Sequence, residues 1–304
     1  MPFSSFVSYF GAAVCLMRAV GLFFLNPDVS VWVDLGILLV LTLGIVLLQT
    51  RRYATQTLVL MVLLIALVGG VAQIINARCQ FPFGMLVYAG KAGPTPGKLI
   101  PLFVPLIWVT CILTGRDVSR LILRPKRKTP TYGMWLFWTT VGCSLVFATG
   151  LDAFAHSLLQ YWYWTATDGI RPIDSASLLY YPGWLMTTML ILVFTTGLML
   201  KRIPARSQSD LTPLVLWGAM ALLFLAAALA KGRWITAGIV LVTNTLLVRL
   251  ALRGAAFKLP LPMAKAPPDV RTSSSRAVRP QQQPSTKPSA EEAGTPGNPA
   301  APAR

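Results

Sequence analysis

The sequence predicts an all-α polytopic integral membrane protein with about eight transmembrane helices. Three observations carry that prediction. Of the 304 residues, 55% are hydrophobic and only 12% are charged, where soluble domains carry about 25% charged residues. Several apolar runs reach the length of about 20 residues that crosses a bilayer, and Leu35 to Leu48 contains no charge at all. The basic residues collect between and after these runs, as loop charges that set orientation do.

Taken in order, the spans are expected at 6–25, 31–49, 55–76, 99–115, 133–154, 178–200, 212–230 and 234–252. The N-terminus lacks a basic leader region, and its apolar run continues past Arg18 into the first span, so no cleavable signal peptide is expected. Between the third and fourth spans, a Pro/Gly-broken segment near 81–98 interrupts the pattern. Prolines 82, 94, 96, 101 and 105 prevent one continuous helix there. Because this segment is apolar and aromatic, it reads either as a re-entrant loop lining a pocket or as a surface loop before a kinked span.

Charge placement favours both termini in the cytoplasm of a multi-pass protein of the cell (inner or plasma) membrane. Arg51 and Arg52 lie between spans 2 and 3. Arg116, Arg120, Arg124, Lys126, Arg127 and Lys128 fall between 4 and 5, and Lys201, Arg202 and Arg206 between 6 and 7. The alternate loops are poorer in basic residues, although Arg78, Lys91 and Lys98 between spans 3 and 4 fit less well. From Gly254 to Arg304 the chain turns to Pro, Ser, Ala and Gln, and too few apolar residues remain to offset ordering entropy. A basic, disordered cytoplasmic tail is expected after a transmembrane domain at 1–253.

The net charge of +17 does not point to nucleic acid, because no basic face on a soluble domain accompanies it. Cys15, Cys79, Cys111 and Cys143 form no CxxC pair, so they read as small buried residues and no metal site is expected.

Two further features have chemical potential. Asp152 and His156, the sole histidine, stand four residues apart and share a face if the helix continues. They read as an acid–base pair facing a cavity or as an interfacial cap beside a wet histidine, and the position near a span end favours the cap. Asp152 is placed as the acidic residue nearest the membrane interior. The aromatic runs Tyr161 to Trp164 and Tyr180 to Trp184 read as an interfacial belt or as the wall of a slot for a long apolar substrate. With the 81–98 segment, they converge on the non-cytoplasmic face.

The run Phe81 to Tyr88, followed by Pro101 to Trp108, resembles the membrane carotenoid-biosynthesis family that includes carotenoid 1,2-hydratases. The family's Pro-Phe-Gly and Pro-Leu-x-x-Pro-Leu-x-Trp patterns are both present. Asp152 matches a family aspartate, Trp162 and Trp164 its Trp-x-Trp, and Gly183 with Trp184 a later Gly-Trp. The sequence departs from the pattern at Gln73, where the family usually has Glu. It departs also at His156, which replaces an Asp, and at Tyr180, which replaces an Asn.

The resemblance implies cofactor-independent addition of water to the terminal double bond of an acyclic carotenoid. In that reaction, protonation of the less substituted carbon leaves a tertiary cation for water to capture. A carboxylic acid shielded from water holds its proton near neutrality, which suits Asp152 as acid, with His156 as base and Tyr88 as a hydrogen-bond donor. Phe81, Pro82, Phe83, Gly84, Trp108, Trp162, Trp164, Tyr180 and Trp184 would line the polyene slot. The implied partners are membrane lipid, a carotenoid or other long isoprenoid, and other membrane enzymes of the same pathway. A non-catalytic carotenoid- or lipid-binding protein is the alternative, and a transporter ranks behind it because only one broken region is evident. Prenyl transfer is disfavoured, since no aspartate-rich pyrophosphate site exists.

Overall fold

The computed structural model describes residues 3–24, 31–95, 100–164, 179–200 and 210–257. The tail from 258 onward, the connections 165–178 and 201–209, and residues 96–99, which include Pro96 and Lys98, lie outside the described residues.

Among the described residues, eight α-helices follow one another: α1 (Phe3–Phe24), α2 (Val31–Gln49), α3 (Thr55–Cys79), α4 (Phe103–Ile122), α5 (Tyr132–Asp152), α6 (Tyr180–Leu200), α7 (Thr212–Ala230) and α8 (Trp234–Ala256). Seven are long and apolar enough to cross a membrane, so the chain is a multi-pass membrane protein. The exception is α4, which carries Arg116, Asp117 and Arg120.

That exception explains itself through packing. Helix α4 buries 16 of its 20 residues and lies against α2, α3, α5, α7 and α8. Its polar side chains therefore meet protein. Thr110 bonds Thr42 at 2.7 Å and the Cys111 thiol donates to Ser144 at 3.4 Å, contacts of the kind that join helices in lipid. The expected end of this span at residue 115 is corrected, because the helix continues to Ile122. Arg116 and Arg120, assigned above to a loop, are helical. Asp117 and the Tyr53 hydroxyl take up Arg120 there in place of the water that a loop would have offered.

The lipid-length helices expose apolar side chains instead. Phe6, Met17, Leu63, Val193 and Val242 are all exposed, as expected where the surrounding solvent is hydrocarbon.

The all-α class gains one small addition. Residues Leu86–Tyr88 form strand β1, which pairs antiparallel with β2, Trp162–Trp164, in the register Leu86 to Trp164 and Tyr88 to Trp162. Alternation sends Val87 and Tyr163 outward and leaves Leu86, Trp162 and Trp164 buried. The broken segment after α3 is thus pinned to the segment after α5. Beyond Asp152, α5 widens into a π-helix over Ala153–Leu158.

Candidate functional site

At the end of the bundle where α3 and α5 stop and α4 and α6 begin, aromatic side chains collect. Asn76, in the last turns of α3, fixes the Pro-Phe-Gly turn from below. Its Oδ1 accepts the Phe83 N–H at 2.8 Å and its Nδ2 donates to the Gly84 carbonyl at 3.1 Å. Phe83 is thereby driven inward to 0% exposure. Its ring centroid lies 6.4 Å from Trp108, 6.5 Å from Tyr180 and 6.4 Å from Trp184.

Glycine makes this approach feasible. A Cβ on Gly183 would sit 2.6 Å from the Pro82 carbonyl oxygen, so α6 touches the turn only because position 183 has no side chain. Gly69 on α3 likewise makes room for the Trp108 indole. The indole N–H of Trp184 donates to Ser144 Oγ at 2.7 Å, and the Tyr180 hydroxyl donates to the Ala148 carbonyl at 3.2 Å.

Asp152 and His156 both hold strand β2. The Trp162 and Trp164 indoles each donate to Asp152 Oδ1 at 3.3 Å. His156 Nδ1 lies 2.8 Å from the Trp162 carbonyl. A carbonyl can only accept, so in the neutral ring Nδ1 carries the hydrogen and Nε2 is the basic nitrogen. Asp152 is 4% exposed and its carboxyl lies at the indole edges.

Two adjoining cavities result. The inner one, about 20 Å³ and so roomy enough for about one water, is bounded by Gln73, Tyr88, Trp108, Trp162, Tyr180 and Trp184 among others. Its polar feature is a pair: the Tyr88 hydroxyl donates to Gln73 Oε1 at 3.0 Å. Burial pushes the Tyr88 phenol above its ordinary value, so it stays a neutral donor. The outer cavity, about 70 Å³, runs between α2, α4, α5 and α7 and is almost wholly apolar. Phe103, Ile107 and Leu151 border both.

Of the residues expected at the site, Tyr88, Trp108, Trp162, Tyr180 and Trp184 line the inner cavity. Phe83, Gly84 and Trp164 are buried around it. Pro82 packs on α6 through its carbonyl. Phe81 is 56% exposed and so does not share the burial of the other rings. Asp152 and His156 border neither cavity, and they reach it through Trp162.

Sequence reasoning missed a second acidic centre. Asp34 on α2 is 8% exposed and Asp117 is 2% exposed, against 4% for Asp152. Asp152 is therefore one of three buried acids among the described residues. Arg18 Nε meets Asp34 Oδ1 at 2.9 Å, and the Tyr161 hydroxyl donates to Asp34 Oδ2 at 2.8 Å. Burial and the adjacent carboxylate both push the Tyr161 phenol upward. Asp34 and Tyr161 form the polar end of the outer cavity. The available signal was one opposite charge in each of two neighbouring apolar spans, since such charges face partners when they sit in lipid-length helices.

The family model described as carotenoid biosynthesis protein matches residues 30–247. That stretch includes every residue lining the two cavities. No curated protein and no solved structure matches the chain.

Proposed function

Since the chain belongs to the carotenoid biosynthesis protein family, we propose that it adds water to the terminal double bond of an acyclic carotenoid end group. A role in carotenoid biosynthesis comes with that membership. The observation that carries the finer reading is the pair of adjoining cavities sharing Phe103, Ile107 and Leu151. The apolar outer cavity suits a polyene. The smaller inner one suits the attacking water, and its border presents aromatic faces and one polar pair to the end group.

In this reading the Trp162 indole swings off Asp152 Oδ1, which opens the carboxyl to the inner cavity, and Asp152 then gives a proton to the less substituted carbon of the double bond. The tertiary cation forms beside Trp108, Trp162 and Trp184, whose ring faces attract positive charge. A water held by Gln73 and Tyr88 supplies the new C–O bond, and its proton reaches His156 Nε2 through the same opening at Trp162 and then returns to Asp152. One proton is given and one recovered, so the net change is one water added. The mouth of the site lies on the non-cytoplasmic side of the cell membrane, with the basic helix ends and both termini in the cytoplasm.

A second reading, retention of a carotenoid or related lipid without chemistry, draws on one observation. Gln73 supplies an amide where the family usually has a carboxyl group, and Asp152 Oδ1 is already engaged by two indoles. Expression in a host that makes lycopene or γ-carotene, with mass analysis of the pigment, separates the two. Pigment heavier by one water supports hydration. Unchanged pigment that co-purifies with the protein supports retention and overturns the hydratase.

A further inference from the structure

The opposite end of the bundle holds a second buried polar cluster that this chemistry does not use. Asp117 on α4 sits at its centre. Its Oδ1 accepts from Arg52 at 2.6 Å and from Arg120 at 2.8 Å, and its Oδ2 accepts from Gln49 at 2.7 Å. Arg120 also donates to the Tyr53 hydroxyl. Arg116, one turn before Arg120 on the same helix, is 6% exposed and lies within repulsive range of it.

The cluster is unbalanced. Three guanidinium groups, of Arg52, Arg116 and Arg120, share one carboxylate. Among the described residues, Asp210 is the other carboxylate at this end, and it faces Arg51 at 3.9 Å. Among those residues, too, the buried donors Arg116 Nε and Arg120 Nε find no acceptor, and the buried Gln49 Oε1 finds no donor. Buried charge without a partner is strongly unfavourable, and orphaned polar atoms in a native interior call for a ligand or ion.

We propose that this basic end binds the phosphate of an anionic lipid headgroup, with Arg116, Arg120 and Arg52 as its receptors. Guanidinium forks match phosphate oxygens in pairs. Basic pockets between transmembrane helices take such headgroups. A hydroxyl on the headgroup would satisfy Gln49 Oε1, and phosphatidylglycerol supplies both groups.

The test uses the full chain in nanodiscs, with thermal unfolding as readout. In phosphatidylglycerol the Tm rises by a few degrees over phosphatidylcholine, as ligand linkage requires. Arg116→Gln loses that rise yet melts no lower than the unaltered chain in phosphatidylcholine, because it removes an uncompensated charge. Lys128→Gln, at an exposed position, keeps the rise. Inorganic phosphate that raises Tm in phosphatidylcholine discs assigns the same site to a free phosphate. A rise that survives in Arg116→Gln, or no rise with either probe, overturns the site. If Arg116→Gln fails to fold, native mass spectrometry of the unaltered chain decides. Preferential retention of phosphatidylglycerol supports the site, and equal retention of both lipids overturns it.

Discussion

Trp108 on α4 stacks on Trp184 of α6, with ring centroids 4.2 Å apart and planes 24° from parallel. The pair closes one wall of the inner cavity and joins the central helix to the helix that meets the Pro-Phe-Gly turn. Several expected outcomes depend on this arrangement and on the buried pairs around it.

Asp152 holds the Trp162 and Trp164 indoles, and this contact is separable from the acid role proposed for it. Asp152→Asn keeps an oxygen for the Trp162 and Trp164 indoles but has no acidic proton. It should fold like the parent and lose water addition. Asp152→Ala leaves buried N–H groups without an acceptor, at about 1–3 kcal/mol each, and should lower Tm as well. Thermal unfolding beside pigment mass analysis reads both effects. Full product yield from Asp152→Asn would remove Asp152 as the acid.

Gly183→Ala should destabilise the chain by about 1–3 kcal/mol, because the new methyl meets the Pro82 carbonyl and something must shift. Gly197, on the same helix, faces open space, with nothing within 4 Å of where a Cβ would stand. Gly197→Ala should be neutral or stabilising by up to about 1 kcal/mol. Equal Tm values for the two variants would contradict the close approach of α6 to the turn.

Arg18 and Asp34 should show strong coupling. Asp34→Ala strands a buried guanidinium and should cost about 3–5 kcal/mol. Replacing both residues with Leu should recover most of that loss. A double-mutant cycle on unfolding free energy measures the coupling, and additive losses would mean that the pair is not formed.

Tyr88 and Gln73 should also be coupled, more weakly. Tyr88→Phe and Gln73→Leu each leave one polar group unmatched, at about 1–3 kcal/mol, whereas the double variant should cost less than the sum by roughly 0.5–3 kcal/mol. If the pair positions the attacking water, each single variant retains pigment but loses hydrated product. Hydration at the parental level in both would assign the water elsewhere.

What the sequence determined by itself was the set of spans and the chemistry of their surfaces. Lipid is a uniform solvent, so a run such as Leu35 to Leu48 reveals its location from composition alone. The ranges for α2 and α7 agree with the sequence reading to the residue. The Pro-Phe-Gly turn and the later tryptophans were also legible, because each belongs to a short local pattern. Tertiary structure decided the rest. Helix α4 could be recognised as the bundle's axis only from its neighbours, since burial in protein allows Arg116 and Asp117 where lipid would not. The pairing of Tyr88 with Trp162 joins segments separated by more than a whole span and takes its register from backbone hydrogen bonds that no short pattern encodes. The partnership of Asp34 with Arg18 and Tyr161 spans three elements. Its physical basis is the penalty for a lone charge in an apolar interior, which dictates that a partner exists but leaves the fold to choose which one.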